Sequence, residues 1–421
     1  MQKKSKIFKK INLNNFYYYI SDKGWFFFQL GAFCLLSAPI LASFFLLISL
    51  ISTHFKKQDL KIKKKWFYPF LLSGVVSVIS SIVSSRREFS LDGWNSSLTW
   101  LGLMNWIPFY YFMWRSQFYL YKREMRKKIA YMFLAGSVPF IFSGFGQMWF
   151  EWHGPFVFMN GLIIWFQRAI DFEKGQGISA MFNNQNYAAS WLIIIWPFCI
   201  YSFLKIRNFN IKKFILFTFA TLIAISVYLT QSRNGIVGTL TSTLLISNRN
   251  YLYIISFLII AVFAMAIILN PSISQRLLNL TSFTNYLGPR VFIYSNTIPI
   301  ILERPIFGWG AGSFPFLFQM NYPNFNRDPT HPHNLILEMA NSYGLIFAFI
   351  MLTTISLIIF YSYKQIFINK NFPQKEDFKF DKAWWASFFT LFLSQMYDIQ
   401  YFDFRISISF WILLTGLTCI I

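Results

Sequence analysis

The stretch THPHNLILEMANSYG places His331 and His333 two residues apart, at the start of a long apolar run. An imidazole can transfer a proton near neutral pH or bind a metal ion, so this pair is a first candidate for chemistry. Asn334 can cap the helix that follows, and Glu338 would lie near the positive end of that helix. We therefore predict a polar site that includes His331, His333, Asn334 and Glu338.

A metal site at this stretch is the less favoured interpretation. A structural zinc site uses four ligands, and no cysteine or further histidine stands nearby: His153 belongs to another polar segment, and Asp328 alone adds little. Cys34, Cys199 and Cys419 all lie inside apolar runs, which is typical of small buried side chains. We therefore expect no metal ion, no disulfide and no other cofactor.

Two further polar stretches hold arginines beside apolar runs. Arg233 stands in TQSRNGIVG, a polar turn between two such runs. Arg290 stands near the start of LGPRVFIYSNTIPIILERPIFGWGAGSF, where a helix would place Arg290, Tyr294 and Thr297 on one face. The glycines that end this stretch are typical of a tight turn, because a nucleotide-binding loop would need a strand before it and Gly-Lys-Ser/Thr after it.

The elements that must position these side chains are membrane-spanning helices. The 421-residue chain is 55% hydrophobic and only 13% charged, whereas a soluble domain carries about a quarter charged residues. Apolar segments lie at about 25–53, 66–85, 98–120, 128–147, 187–204, 213–230, 234–248, 251–269, 335–363, 384–399 and 405–421. Because Pro39 divides the first segment, the pattern predicts an all-α polytopic membrane protein of about twelve transmembrane helices, forming one domain over 1–421. The short run at 234–248 leaves ten or eleven crossings open.

Clusters rich in lysine orient these helices. The net charge of +22 is concentrated in short segments between apolar runs, which marks a cytoplasmic face rather than a nucleic-acid site. These clusters lie at 3–10, 56–65, 122–128, 205–213 and 364–382. Both termini are then expected in the cytoplasm, with no cleaved signal peptide. The outer segments are 86–97, 148–186, 231–233 and 270–334, and the long, ordered 270–334 loop would carry part of the site.

The basic residues of the outer segments are almost all arginines, Lys174 being the exception. A planar guanidinium binds phosphate or carboxylate through two hydrogen bonds, which a lysine cannot do. In this topology Arg233, Arg290 and His333 come from different segments and share one membrane face. The pattern therefore indicates an external site for an anionic group.

Three of these motifs together resemble the O-antigen ligase and Wzy-type polymerase superfamily. They are TQSRNGIVG, Arg290 with ERPIFGWGAGSF, and HNLILEMANSYGLI. The last is similar to the ligase pattern H-[NSQ]-x9-G-x-x-G-x-x-[GTV], with Gly344 at its first glycine, whereas Phe347 and Ile350 depart from it at the later positions. The resemblance covers about 185–350, and MFNNQNYAAS and DIQYFDFRISISFWILL are most similar to cyanobacterial members.

The resemblance implies a metal-independent glycosyltransferase of GT-C-like fold in the inner membrane. It would move a glycan from a polyprenyl-diphosphate donor to a hydroxyl of a glycolipid or glycan acceptor at the periplasmic face. Arg233 and Arg290 match the family's diphosphate-binding arginines, and His333 matches its essential histidine, the candidate base. Four more side chains are candidates for substrate binding: Tyr294, His331, Asn334 and Glu338.

Other functions stay open at this stage. The motifs do not separate a ligase from a Wzy-type polymerase or a protein O-oligosaccharyltransferase. The rival from another class is a protein related to inorganic-carbon (bicarbonate) transport, since some cyanobacterial relatives carry that label. Transporters usually place ionisable groups near the bilayer midplane, whereas Arg115 is the main charge within the apolar segments here. This favours an enzyme acting on a lipid-borne substrate.

Overall fold

A computed structural model describes residues 13–55, 64–86, 93–171, 176–247, 283–325, 329–369 and 378–421. The α-helices of these residues are α1 (Leu13–Cys34), α2 (Pro39–Ser52), α3 (Phe67–Ser85), α4 (Leu98–Gly102), α5 (Ile107–Leu120), α6 (Arg123–Gly136), α7 (Val138–Trp149), α8 (Gln185–Lys205), α9 (Ile211–Leu229), α10 (Arg233–Ile246), α11 (Phe283–Glu303), α12 (Phe314–Asn321), α13 (Leu335–Tyr343), α14 (Leu345–Tyr363), α15 (Phe378–Ser394) and α16 (Phe404–Ile420). Between α7 and α8, β1 (Phe156–Phe158) pairs with β2 (Ile163–Trp165) in an antiparallel hairpin. The described residues are mostly helical, and this short hairpin is an exception to the all-α prediction.

Several helical segments are long and apolar enough to cross a membrane. Among the described residues there are five: Phe67–Ser85, Arg123–Trp149, Gln185–Lys205, Ile211–Leu229 and Leu345–Ile368. Shorter apolar helices cover Pro39–Ser52 and Phe404–Ile420. The chain is thus a mostly helical, polytopic membrane protein. The predicted segment 251–269 and the cluster at 3–10 lie outside the described residues, so the count of about twelve crossings and the orientation stay predictions.

The first apolar segment is a helical hairpin, as Pro39 predicts. The helix α1 ends at Cys34 and α2 begins at Pro39, where a missing backbone N–H costs nothing because the first turn of a helix has no acceptor for it. The two helices approach closely: a Cβ added at Gly31 would lie 2.6 Å from Leu46 Cγ. A small residue at this position therefore lets the antiparallel pair pack tightly.

Two segments predicted as continuous are each divided. The segment 98–120 is interrupted by a 3₁₀ turn, Leu103–Asn105, between α4 and α5. The segment 335–363 is broken at Gly344, whose φ is 89° and whose added Cβ would lie 2.0 Å from Ile306 O. Only glycine tolerates both conditions. The glycine of the H-[NSQ]-x9-G pattern thus separates a short helix, α13, from the candidate membrane span that follows.

The glycine-rich stretch after α11 is a tight turn, as predicted. Gly308, Gly310 and Gly312 all have positive φ. The N–H groups of Trp309 and Gly310 donate to the carbonyls of Asn341 and Ser342, at 2.8 and 3.1 Å. The turn thereby satisfies carbonyls at the C-terminal end of α13, which have no partner within that helix. It fixes α13 against the predicted outer segment.

The last two helices are separated by an irregular segment that the apolar pattern did not predict. The segment 384–399 was expected to be helical throughout, but α15 ends at Ser394, and residues 395–403 run as an irregular segment to α16. Beside α15 lies α8, in which every residue from Ala188 to Ser202 is buried. The helix α8 is therefore central, and its first turn lies near the irregular segment.

Candidate functional site

The irregular segment 395–403 is where side chains of several elements meet to form the site. Its carbonyls have no helical partners, so side chains from other elements satisfy several of them. Two of these bonds come from motifs recognised in the sequence: Asn334 Nδ2 donates to Met396 O at 2.8 Å, and Arg290 Nη1 donates to Tyr397 O at 2.7 Å. A third motif reaches the last residue of α15, where Asn234 Nδ2 donates to Ser394 O at 3.2 Å. The three motifs therefore converge on one short stretch of backbone.

Asp398 and His333 form a hydrogen-bonded pair. His333 Nδ1 lies 2.7 Å from Asp398 Oδ1. The Asp398 side chain is 9% exposed and that of His333 is 28% exposed. A neutral imidazole that donates to the carboxylate from Nδ1 has its lone pair on Nε2. This is the arrangement by which a carboxylate orients a histidine as a general base.

The other oxygen of Asp398 is also engaged. Asn186 Nδ2 donates to Oδ2 at 2.7 Å, and Arg290 Nη2 lies 3.8 Å from the same atom. Burial alone would raise the pKa of Asp398, but the hydrogen bond from His333 and the charge of Arg290 outweigh it and hold the pKa below its ordinary value. The carboxylate is therefore ionised at neutral pH and can stabilise a protonated imidazole.

Asn186 is positioned by the first turn of α8. Asn184 caps this helix, its side chain accepting from Asn186 N at 2.8 Å. Gln185 Oε1 accepts from Arg168 Nη2 at 2.6 Å and from Gly177 N at 2.7 Å. These bonds tie the helix start to the preceding loop, so the Asn186 amide has a defined place beside Asp398.

Arg290 and Tyr294 lie on one face of α11, as predicted. The Arg290 guanidinium stacks on the ring of Tyr397, 3.9 Å from its centroid, and its side chain is 21% exposed. Tyr294 Oη donates to His333 O at 3.1 Å and to Tyr397 O at 3.2 Å. Thr297 is buried and its hydroxyl bonds Ile293 O within the same helix, so it takes no part in the site.

The backbone of His333 has a φ of 53°, which non-glycine residues rarely adopt. Such a conformation costs about 1–3 kcal/mol and persists where neighbours enforce it. Here His333 N donates to His331 Nδ1 at 3.2 Å, and Tyr294 bonds His333 O. Asn334 then caps α13, since its Oδ1 accepts from Ile336 N and Leu337 N at 2.9 and 3.2 Å. The predicted cap is confirmed.

Three potential metal-ligating side chains lie close together in the structure. The ring centroids of His331 and His333 are 4.5 Å apart, and ligand atoms of His331, His333 and Asp398 all lie within 4.8 Å of one another. Asp328 was the further acidic ligand considered from the sequence, and Asp398 was not included. His333 Nδ1 and Asp398 Oδ1 already share a hydrogen bond, which a metal bound by both would replace. Metal independence stays a prediction.

Two predicted residues lie at the margins of this cluster. Arg233 is exposed in the first turn of α10, and the neighbouring Asn234 places that turn beside Ser394. Glu338 lies in the first turn of α13 but is buried, with Oε1 accepting from Ser342 Oγ at 2.8 Å. Among the described residues, Glu338 makes no hydrogen bond to His333 or Asp398.

Sequence reasoning missed Asp398, Asn186 and Tyr397. Asp398 was absorbed into the apolar segment 384–399, although a single acidic residue at the end of such a run is a signal for function. Asn186 stands in MFNNQNYAAS, which was noted only for its resemblance. Tyr397 carried no signal, because a tyrosine that stacks under an arginine is an ordinary aromatic in the sequence.

Comparison with known families adds an independent finding. The O-antigen ligase family model matches residues 217–353 of this chain. The matched part contains Arg233, Arg290 and His333, whereas Asp398 and Asn186 lie outside it. No curated protein matches the chain.

Proposed function

We propose that this member of the O-antigen ligase and Wzy-type superfamily, a membrane glycosyltransferase, transfers a glycan from a polyprenyl-diphosphate donor to a hydroxyl of a glycolipid acceptor. The observation that carries the proposal is the 2.7 Å hydrogen bond between His333 Nδ1 and Asp398 Oδ1, with Arg290 Nη2 3.8 Å from the same carboxylate. An oriented base and an anion-binding group thus lie side by side, which transfer from a diphosphate to a hydroxyl requires.

In the proposed reaction the acceptor hydroxyl oxygen attacks the anomeric carbon of the donor sugar. The bond from that carbon to the diphosphate oxygen breaks, and its electron pair remains on the diphosphate. His333 Nε2 takes the hydroxyl proton, and Asp398 stabilises the resulting imidazolium. Proton transfer by a positioned side chain typically contributes about 10²–10⁴ to the rate.

The diphosphate gains negative charge as it leaves, and the arginines would stabilise that charge. Arg290 is held by its bond to Tyr397 O and by stacking on that ring, so its guanidinium needs little reorganisation. One such preorganised donor contributes roughly 3–4 kcal/mol to transition-state stabilisation. Arg233, exposed at the start of α10, is the second proposed diphosphate ligand. With two guanidinium groups on the diphosphate, the reaction needs no divalent cation.

The proposed location is the periplasmic face of the inner membrane, with both termini in the cytoplasm. The distribution of lysines between apolar segments supports this orientation. The segment 270–334 would then be the periplasmic loop that carries part of the site, including Arg290, Tyr294 and the two histidines. A donor anchored in the outer leaflet could reach a site at this level.

The test is the transfer activity of His333→Ala and Arg290→Lys variants in membranes with matched protein levels. Both are expected to lose surface glycan attachment, since alanine removes the base and lysine cannot bind the diphosphate bidentately. Ser362→Ala is the control, because among the described residues its hydroxyl bonds only its own helix, at Ile358 O and Ile359 O. Normal surface glycan in both site variants would refute the proposal.

A deletion strain separates the related functions. Glycolipid gels that lack long-chain material, with polyprenyl-linked polymer accumulating, indicate a ligase, whereas a single-repeat product indicates a polymerase. Loss of glycan from proteins with normal glycolipids indicates a protein O-oligosaccharyltransferase. Reduced bicarbonate uptake at limiting inorganic carbon, with glycans unchanged, would support the transport-related alternative.

A further inference from the structure

A cavity of about 230 Å³ lies next to the proposed base, on the side of His331. Thr330 and Phe402 border it and are exposed, whereas Trp106 and Glu338, which also border it, are buried. The cavity therefore runs from an open rim to a buried floor. His331 is the link between the two regions, because it lines the cavity and accepts a hydrogen bond from His333 N.

The floor of this cavity holds an incompletely bonded carboxyl group. Glu338 is 8% exposed, and its Oε1 accepts from Ser342 Oγ at 2.8 Å. Its Oε2 is buried and has no hydrogen-bond partner among the described residues. A buried polar atom without a partner is uncommon, because it has lost its water without a replacement. Glu338 lines the cavity, so a polar ligand there is a candidate partner once the carboxyl turns toward it.

The lining indicates the chemical class of that ligand. No lysine or arginine is among the described residues that line the cavity. Burial and the neighbouring His333 lower the pKa of His331 to about 4, so its ring is neutral at physiological pH. An anionic group such as a phosphate would therefore be poorly stabilised. Three aromatic side chains, Trp106, Tyr343 and Phe402, instead line the cavity together with one carboxyl group.

We propose that this cavity binds one sugar ring of the glycan substrates, with a ring hydroxyl hydrogen-bonded to Glu338 Oε2 and the apolar ring face against the aromatic side chains. The volume is sufficient, since a cavity of roughly 150 Å³ accommodates a benzene-sized ring and this one measures about 230 Å³. The inference rests on the proposed function, because it identifies the part of the glycan that the transferase would hold beside its base.

The protonation of Glu338 is compatible with such a ligand. Burial raises the pKa of this carboxyl to about 7, while the bond from Ser342 lowers it slightly. Near neutral pH the group can thus donate or accept a hydrogen bond, and a sugar hydroxyl can do both. The helix α13 precedes the candidate membrane span that begins at Leu345, so the carboxyl lies at the end of the membrane segment where His333 stands.

The first test measures binding without catalysis. The full chain in lipid nanodiscs, free of sugar-based detergent, is mixed with methyl glycosides of glucose, galactose and N-acetylglucosamine. Saturation-transfer NMR should show contact with at least one of them, and Glu338→Leu should abolish that signal. Glu338→Gln should keep part of it, because its amide can still bond a hydroxyl. Thr330→Trp, which narrows the rim without altering the floor, should weaken binding even if Glu338→Leu fails to fold.

The second test assigns the sugar to one substrate. In a transfer assay Glu338→Leu should raise one KM by about tenfold or more, the loss expected for a hydrogen bond to a charged group. A raised acceptor KM places the acceptor sugar in the cavity, and a raised donor KM places the donor sugar there. Ser362→Ala, another buried helical residue, should alter neither value.

The outcomes separate this inference from the proposed function. If His333→Ala abolishes transfer while both KM values of Glu338→Leu and Thr330→Trp equal those of the wild type, the cavity does not bind sugar and the inference alone fails. Equal NMR signals from wild type and both variants would overturn it as well. If His333→Ala retains full transfer, the proposed function fails first.

Discussion

A buried aspartate lies near each end of α15, and the two aspartates differ in the side chains that they bond. Near the first turn, Asp381 is fully buried and pairs directly with Arg123 Nη2 at 2.6 Å and Arg126 Nη2 at 3.0 Å. Beyond the last turn, Asp398 bonds the neutral Asn186 and the titratable His333, with Arg290 more distant at 3.8 Å. A helix of this length, about 25 Å, separates the two clusters.

The difference distinguishes a structural ion cluster from a site. Around Asp381 both carboxylate oxygens are used by permanent charges, and Arg126 is itself only 4% exposed. Around Asp398 the partners are the neutral Asn186, the half-buried imidazole of His333 and, in a longer ion pair at 3.8 Å, Arg290. The second arrangement can therefore accept a proton and an anion, whereas the first joins α6 to α15.

The largest effect is expected from Asp398→Asn. An asparagine cannot stabilise a protonated imidazole and can hold the ring in the wrong tautomer. The transfer rate should fall about 10²–10⁴-fold, the range for loss of general acid–base catalysis. The pH dependence of kcat should also change, because the carboxylate that stabilises the protonated base in the proposed reaction is lost. Measured kcat and its pH profile check this, and a wild-type profile would show that Asp398 has no role in proton transfer.

The matching change at the other end, Asp381→Asn, should act on stability alone. It leaves Arg126 buried beside a neutral group, and removing one partner of a buried ion pair costs about 3–5 kcal/mol. The thermal midpoint in nanodiscs should fall clearly, while kcat per folded molecule stays at the wild-type value. A strong loss of kcat in well-folded protein would mean that the two ends of α15 are coupled.

Only part of the site around Asp398 could be predicted from the sequence. The local features were predictable because each depends on a few neighbouring residues. They are the cap at Asn334, the tight glycine turn and the helix around Arg290. The partnership of His333 with Asp398 joins residues 65 positions apart and depends on where α15 ends. Near that end, at Ser394, the side chains of Asn334 and Asn234 bond backbone carbonyls, and the apolar pattern does not record such bonds.

A third buried carboxyl, Glu338, has no cation among its described hydrogen-bond partners and should therefore respond oppositely to pH. Its pKa is raised from 4.5 to about 7 by burial, so its folded form binds the proton more tightly than the unfolded chain does. The associated stability is present below about pH 4.5 and is lost as the pH rises through 7. A shift of this size corresponds to about 3 kcal/mol at most.

The variant Glu338→Gln tests this, because glutamine keeps the shape and cannot ionise. Its thermal midpoint relative to wild type should rise between pH 5 and pH 7 and level off above that. Asp398, whose pKa is lowered, should give the reverse: its contribution is present at neutral pH and is lost in acid. A pH-independent difference between wild type and Glu338→Gln would mean that the carboxyl is not buried in the protonated form.

The smallest effect is expected from replacing a helix cap, and two caps, Asn334 and Asn210, can be compared. Asn210 caps α9 through a bond from Lys213 N at 2.9 Å and touches no part of the site. Replacing either by alanine should cost about 1 kcal/mol of stability, the usual value of an N-cap. Only Asn334→Ala should also lower kcat, several-fold, because it removes the 2.8 Å bond to Met396 O that fixes the backbone two residues before Asp398. If both variants lose stability alike and both keep full kcat, the place of Asp398 depends on the bonds from Arg290, Tyr294 and Asn186 instead.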